Sequence, residues 1–110
     1  MKSQFKAKRV TILVGETDRH DGRVLYEAIV SMLHAEGIAG ATATRGVLGY
    51  GGSGRTHSAH LLDVADDLPV TIVFVDTAEA VERVLPKIGE MVSSGLVTVE
   101  DVEAVVYSAE

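Results

Sequence analysis

The sequence predicts an α+β domain with the ferredoxin-like βαββαβ order, in which a four-stranded antiparallel sheet carries two helices on one face. Three observations predict it. Each half of the chain begins with a short run rich in β-branched residues, continues with an amphipathic helical pattern, and closes with a further strand pattern. Two split βαβ units of this kind fit within 110 residues as a single domain that spans the whole chain.

The first half is predicted to form a strand, a helix and a weaker strand. The first strand covers residues 9–14, and residues 1–7 before it are expected to be flexible. Apolar residues recur at helical spacing over residues 22–36, and Gly37 supplies a C-terminal stop. Residues 41–48, which mix threonine with small residues, form the second strand.

The second half repeats this order with stronger signals. Residues 70–76 include five β-branched residues and predict the third strand. Asp76 is the expected N-cap of the second helix, whose apolar stripe is Val81, Val84, Leu85, Ile88, Met91 and Val92. Pro86 predicts a kink or break near residues 82–86, because proline lacks the amide proton that a helix interior uses. The last strand is predicted at residues 102–107.

Apolar side chains occupy both faces of the first and third strands. Helices can cover only one face of such a sheet, so the other would expose an apolar surface to water. The alternating sets are Val10, Ile12 and Val14 against Thr11 and Leu13, and Val70, Ile72 and Phe74 against Thr71, Val73 and Val75. The sequence therefore predicts an obligate oligomer that buries the second face between subunits.

Charge and composition exclude several classes of function. The formal net charge of −6 opposes binding to nucleic acid or to anionic lipid. The chain has no cysteine, and no nucleophile–base pair or carboxylate pair is recognisable in it, so we expect no catalytic activity. The apolar run at residues 10–14 is too short for a signal-peptide core or a membrane span. We expect a cytoplasmic protein that does not insert into membranes.

A glycine-rich segment is the strongest candidate for a binding site. Residues 46–54 contain five glycines, Gly46, Gly49, Gly51, Gly52 and Gly54. Such a run beside Ser53 and Arg55 can point backbone N–H groups at a phosphate or carboxylate. The alternative is a flexible hairpin connection without a ligand. The connection over residues 49–68 is longer than the roughly 12 to 15 residues of most ordinary loops, which favours a functional role.

A second candidate in the same segment is a metal site. His57, His60 and Asp63 are spaced by three residues, so a helix would place two imidazoles and a carboxylate on one face. The alternative is a solvated loop with ordinary histidines. Divalent ions need ligands in fixed geometry, so the sequence favours the alternative.

Four blocks of the chain resemble the PII-like family known as domain of unknown function 190. They are GRVLYEAIV, GIAGATATRGVLGYGGSGRTHSAHLL, DLPVTIVFVDT and GLVTVEDVEAVVY, and with the residues between them they run in the family's order from Lys8 to Tyr107. The resemblance implies a relative of the PII nitrogen-regulatory proteins. It therefore implies a homotrimer with ligand clefts between neighbouring subunits and a long loop, the T-loop, that contacts partners.

The resemblance also implies which residues line an adenine-nucleotide cleft. They are Thr42 on the second strand, Gly49, Tyr50, Gly51, Gly52, Ser53, Gly54 and Arg55 at the base of the T-loop-like connection 49–68, and Gly95, Leu96, Val97 and Thr98 in the second loop. The chain departs from the PII pattern by lacking the lysine of that second loop and the two arginines of the last strand. Triphosphates need such cationic donors, so the sequence favours AMP or ADP over ATP. Cyclic AMP is the other less favoured ligand.

Three functional hypotheses remain at this point. The first is a nucleotide-sensing signal protein that regulates a partner, such as a membrane transporter or channel, through its loop. The second is a structural or adaptor trimer of the same fold that binds no small molecule. The third is a metal-binding module that uses His57 and His60.

Overall fold

The main sheet contains four antiparallel strands, and two helices pack against it. A computed structural model describes residues 1–51 and 67–109. The elements are β1 (Lys2–Gly15), a small hairpin of β2 (Arg19–His20) and β3 (Arg23–Val24), α1 (Leu25–Ala35), β4 (Thr42–Arg45), β5 (Pro69–Asp76), α2 (Ala78–Met91) and β6 (Leu96–Tyr107). The main sheet has the order β4-β5-β1-β6. This arrangement confirms the predicted ferredoxin-like fold class.

The core lies between the helices and one face of the sheet. Even-numbered residues of β1 and β5 form that face, and Val10, Ile12 and Ile72 are completely buried there. The apolar stripes of both helices close over them, with Ile29 and Leu33 from α1 and Val81, Val84 and Ile88 from α2. The alternating apolar residues of the strands and the apolar stripes of α1 and α2 therefore pack together in one core.

The opposite face of the sheet has no helix over it, and we call it the open face. Its central residues are the odd-numbered side chains of β1 and β5, including Leu13 and Val73, which stay partly exposed. Leu96 of β6 pairs with Leu13 and is 52% exposed. The two-sided apolar pattern predicted from the sequence is thus present in the described part of the chain.

The first and the last strand of the chain are both longer than predicted. The first strand begins at Lys2 rather than Arg9, and the last begins at Leu96 rather than Val102. Residues 2–7, which were expected to be flexible, pair in register with residues 102–107, so that expectation is wrong. The polar N-terminal segment has weak strand propensity of its own, and the ladder to β6 supplies the hydrogen bonds that hold it extended.

The first helix and the second strand are shorter than predicted. α1 begins at Leu25 rather than Gly22, because residues 19–24 form the β2–β3 hairpin. Asp21 and Gly22 both have positive φ at its turn, where an Asp-Gly pair favours a two-residue hairpin. β4 stops at Arg45 instead of Leu48, just before the backbone N–H of Gly46 donates to the carbonyl of Pro69 at 2.8 Å.

The start and the middle of α2 also differ from expectation. Thr77, rather than Asp76, is the N-cap, and its hydroxyl oxygen accepts from the N–H of Ala80 at 3.1 Å. The helix runs through Pro86 without the predicted break. Pro86 lies on the exposed side, so the helix carbonyl that it leaves without a backbone partner can be solvated by water.

Removing this cap is expected to cost about 1 kcal/mol of the free energy of unfolding in a Thr77→Ala variant, because the hydroxyl satisfies an otherwise orphan N–H group. Thr77→Ser keeps a hydroxyl at the same place and is expected to retain the wild-type stability. Urea unfolding of the three proteins measures the difference. Equal losses in both variants would show that the methyl group, rather than the cap, stabilises this end of α2.

Candidate functional site

The candidate site lies at one end of the sheet, which we call the loop end. β1 and β4 finish there, at Gly15 and Arg45, and β5 and β6 begin there, at Pro69 and Leu96. The glycine-rich segment leaves the sheet from β4, and the loop at residues 92–95 enters it before β6. The fold thus places both predicted ligand-contacting loops at the same end of the molecule.

The start of the glycine-rich segment packs against the ring of Pro69. A side-chain Cβ built on Gly49 would lie 3.1 Å from Cγ of Pro69, and one on Gly46 would lie 3.4 Å from its carbonyl oxygen. Both distances are at or inside the short limit of van der Waals contact. These two glycines therefore have a packing role at the loop base, independent of any ligand.

The turn after β1 holds both ends of the long connection. Arg45 Nη1 lies 2.8 Å from Glu16 Oε2, and this hydrogen-bonded ion pair raises the pKa of the Arg45 guanidinium above its ordinary value. On the returning side, the backbone N–H and the hydroxyl of Thr17 both donate to Asp67 Oδ1, at 3.1 and 3.0 Å. The N–H of Glu16 donates to the carbonyl of Leu68 at 2.9 Å. Two adjacent residues thus fix where the connection leaves and rejoins the sheet.

Reasoning from the sequence missed these anchors. Glu16 and Arg45 are 29 positions apart, and Thr17 and Asp67 are 50 apart. No local motif links positions so distant, because the contacts exist only after β1, β4 and β5 have paired. The signal available beforehand was the polar turn after the first strand, which predicts a turn but not its partners.

Gly51, in the glycine-rich segment, has a backbone conformation that favours glycine. Its φ is +91°, in the left-handed region that side chains disfavour, and a Cβ there would meet nothing within 4 Å. Its neighbour Tyr50 is 83% exposed. This short stretch therefore presents backbone and an aromatic ring to solvent, which suits contact with a ligand or a partner.

The other glycine-loop candidates lie outside the described residues. These are Gly52, Ser53, Gly54 and Arg55, together with the metal candidates His57, His60 and Asp63. Within residues 1–51 and 67–109, no group of three or more potential ligand side chains could hold a metal ion. The metal hypothesis accordingly stays a prediction.

Gly95 is held in a tight place by the central strand. A Cβ on it would lie 2.7 Å from the carbonyl oxygen of Leu13 and 3.0 Å from Cγ1 of Val92. Real side chains essentially never approach a backbone oxygen so closely. This glycine thus lets the 92–95 loop lie flat against β1. Close packing alone is sufficient to explain why position 95 is glycine.

The three residues after Gly95 divide between the two faces of the sheet. Leu96 and Thr98 lie on the open face, opposite Leu13 and Thr11. Val97 pairs with Ile12 and packs against the core from the helix side. A surface cleft of about 450 Å³ opens beside it between α2 and β6, lined by Leu85, Ile88, Gly89, Val92, Ser93, Ser94, Gly95 and Val97. The cleft offers apolar walls and two serine hydroxyls, and none of these lining residues is cationic.

Thr42 shares a row of the open face with Thr98. The pairing runs from Thr42 to Val73, from Val73 to Thr11 and from Thr11 to Thr98. Adjacent strands are about 4.8 Å apart, so three steps separate Thr42 from Thr98 by roughly 14 Å. They stand on the two edge strands, and one chain does not bring them together.

One family model matches most of the chain. The family is DUF190, described as "Uncharacterized ACR", and the match covers residues 7–104. The UPF0166 protein of Methanocaldococcus jannaschii is 38% identical over 107 residues, which are 96% of this chain and 96% of that protein. A UPF0166 protein of Aquifex aeolicus is 30% identical over 100 residues, covering 91% of this chain and 94% of that one.

Two solved structures share the fold. One is a PII-like signalling protein from Thermus thermophilus, with a TM-score of 0.57 and 19% identity over 94% of this chain and 91% of its own. The other is CPII from Thiomonas intermedia, bound to ADP and bicarbonate, with a TM-score of 0.56 and 22% identity over 93% of this chain and 91% of its own. The described architecture is therefore PII-like. Also within the described residues, no helix is long and apolar enough to cross a membrane.

Proposed function

The chain belongs to the DUF190 family, and from that premise we propose that it is a PII-like signal-transduction protein that binds an adenine nucleotide in clefts between its subunits. The observation that carries the proposal is the likeness of the fold to CPII, whose structure holds ADP and bicarbonate. The chain shares that fold over nearly its whole length, with its glycine-rich segment at the loop end.

The placement of the predicted contact residues supports a cleft between subunits. Thr42 and the loop base lie at the β4 edge of the sheet, whereas Gly95 and Thr98 lie at the β6 edge. A ligand that contacts both sets needs the β4 edge of one chain beside the β6 edge of another. A homotrimer built in this head-to-tail way closes on itself and repeats the cleft three times.

Charge supports a nucleotide with one or two phosphates over a triphosphate. Arg45, the guanidinium that precedes the glycine-rich segment directly, is already paired with Glu16. The cleft beside Val97 has no cationic lining among the described residues. Each phosphate that is withdrawn from water needs charge-assisted donors, so AMP or ADP is the proposed ligand, ahead of ATP.

The proposed output is a change in the order or position of the connection 49–68 when nucleotide binds, read by a partner such as a membrane transporter or channel. The anchors at Glu16 and Thr17 fix both ends of this connection to the sheet, so a ligand at its base alters a segment whose ends are already held. The protein acts in the cytoplasm as a sensor and carries out no reaction in this scheme.

The test is isothermal titration calorimetry with AMP, ADP, ATP and cyclic AMP on the wild type and on a Gly51→Ala, Arg55→Ala double variant. We expect saturable binding of AMP or ADP to the wild type and at least a tenfold weaker affinity in the variant. Gly51 has positive φ, so alanine strains the backbone at the loop base, and the second change removes a guanidinium.

Gly37→Ala is the matched control for the strain. Gly37 also has positive φ, of +84°, and also has nothing within 4 Å of a built Cβ, but it follows α1 at the opposite end of the fold. Affinity equal to the wild type is expected in this control. If none of the four nucleotides binds at millimolar concentration, the nucleotide proposal fails and the adaptor trimer becomes the leading hypothesis.

A further inference from the structure

The paired termini form a two-stranded arm that extends beyond the rest of the sheet. β5 pairs with β1 only from Lys8 onward. Residues 2–7 pair with residues 102–107 alone, and we call this pair of segments the arm. The described molecule is accordingly elongated, with principal extents of 51 × 26 × 22 Å. A two-stranded ribbon on its own is marginally stable in water, so such an arm needs a surface to pack against.

The two sides of the arm differ sharply in chemistry. The register between β1 and β6 is continuous, so the side chains alternate without a bulge. One side carries the pairs Ser3 with Val106, Phe5 with Ala104 and Ala7 with Val102. The other side carries Lys2 with Tyr107, Gln4 with Val105 and Lys6 with Glu103. The first side is almost entirely apolar, and the second is mainly polar and charged.

The apolar side of the arm continues the open face of the sheet. Odd-numbered residues of β1 form both surfaces, from Phe5 in the arm to Leu13 at the loop end. Arg9 and Glu100 lie between them as a doubly hydrogen-bonded pair, at 3.0 and 3.2 Å. This pairing lowers the pKa of the Glu100 carboxyl and neutralises both charges within the surface. Anything that covers the open face therefore meets the arm as well.

Charge favours another copy of this chain as the occupant. Residues 1–9 hold four of the ten lysines and arginines and none of the sixteen acidic residues. Lys8 and Arg9 form ion pairs with Asp101 and Glu100. Lys6 lies across the ladder from Glu103 and helps to lower the pKa of Asp101, whereas Lys2 lies across from Tyr107. The remainder of the chain holds six basic against sixteen acidic residues. A basic strand on an acidic protein is complementary to a second copy of that protein.

We propose that the arm is a clasp between subunits: its apolar side packs on the open face of a neighbouring copy, and the basic character of residues 1–9 attracts that segment to a copy whose net charge is −6. The inference rests on the proposed homo-oligomer and adds the element that locks it. It assigns a function to residues 1–7, outside the loop end and its ligand.

Two adjacent valines provide a matched test. Val106 is on the apolar side of the arm and is 50% exposed, whereas Val105 is on the polar side and is 40% exposed. Sedimentation velocity across a protein dilution series measures assembly in the wild type and in the Val106→Asp and Val105→Asp variants. We expect the first substitution to weaken association at least tenfold and the second to leave it unchanged.

Cross-linking identifies what the arm touches. The chain has no cysteine, so a disulfide between chains that each carry one introduced cysteine joins two molecules. A mixture of Val106→Cys and Leu96→Cys chains is expected to form the mixed disulfide under mild oxidation, because Leu96 lies on the open face. A mixture of Val105→Cys and Leu96→Cys chains is the control and is expected to form several-fold less.

Equal effects of the two aspartate substitutions, or no effect of either, would overturn the clasp. If the wild type nevertheless assembles and binds adenylate in the calorimetric titration, the proposed function stands without the clasp. A wild type that is monomeric at every concentration overturns the clasp and the subunit cleft together.

Discussion

A Gly95→Ala substitution is expected to lower the free energy of unfolding by about 3 kcal/mol, near the upper end of the cost of overpacking. The added methyl would lie 2.7 Å from the backbone oxygen of Leu13, near the end of the central strand β1. A backbone atom cannot rotate away as the end of a long side chain can. The 92–95 loop or the start of β6 must therefore move.

Gly89→Ala is the control with the opposite sign. Gly89 is exposed in the interior of α2, and a Cβ there meets nothing within 4 Å. Replacing glycine by alanine in a helix interior stabilises by about 0.5 to 1 kcal/mol. Denaturant unfolding at one fixed protein concentration gives both values. The contrary outcome is that Gly95→Ala lowers the free energy of unfolding by less than about 1 kcal/mol, below the usual cost of overpacking. That result would show that the loop moves easily and that close packing is not why this position is glycine.

The outcome bears on the ligand as well as on the fold. Gly95 is one of the residues that the family resemblance places in the nucleotide cleft, yet its contact with Leu13 is sufficient to require glycine. A variant that refolds with a displaced loop also displaces Leu96 and the cleft beside Val97. Weaker adenylate binding by Gly95→Ala is therefore expected as an indirect effect, and it would not show that Gly95 touches the ligand.

The sequence was sufficient for the fold because the strongest signals are those that build the core. The alternation in residues 70–76 and the stripe of α2 both reflect side chains that are buried in the structure. The predicted ends of the elements were wrong where pairing between strands, rather than local propensity, determines the structure. Residues 2–7 have little strand propensity and become a strand through β6, and Pro86 stays in a helix because its exposed side tolerates the missing bond.

The candidate site was predictable only in part, for the same physical reason. The sequence offered Gly51 as one of five glycines in residues 46–54, and only the backbone shows that its φ is positive, where glycine is favoured. The ion pair of Glu16 with Arg45 depends on strands that are distant in sequence, so no periodic pattern of residues predicts it. Thr42 and Thr98 were both named from the family resemblance, but only the strand order shows that they stand at opposite edges of the sheet. That separation is why the proposed function places the site between chains.

Two neighbouring substitutions on β1 are expected to act in different ways. Ile12 is completely buried against the helices, and Ile12→Ala is expected to cost about 4 kcal/mol, the sum of lost burial and a cavity that closes incompletely. For a domain with a total stability of about 5 to 15 kcal/mol, this is a large fraction. Leu13 points to the open face and is partly exposed in the single chain, so Leu13→Ala leaves no comparable cavity in the folded subunit.

Protein concentration separates these two effects. Association of folded chains raises the thermal midpoint as concentration rises, because only the folded state binds its partner. Ile12→Ala is expected to lower the midpoint by a similar amount at every concentration, since its contacts lie within one chain. Leu13→Ala is expected to flatten the concentration dependence, since in the proposed oligomer a neighbouring subunit covers this side chain. If scanning calorimetry from low to high micromolar concentration gives the same slope for Leu13→Ala as for the wild type, then the open face is not where subunits meet, and the apolar odd-numbered residues of β1 require another explanation.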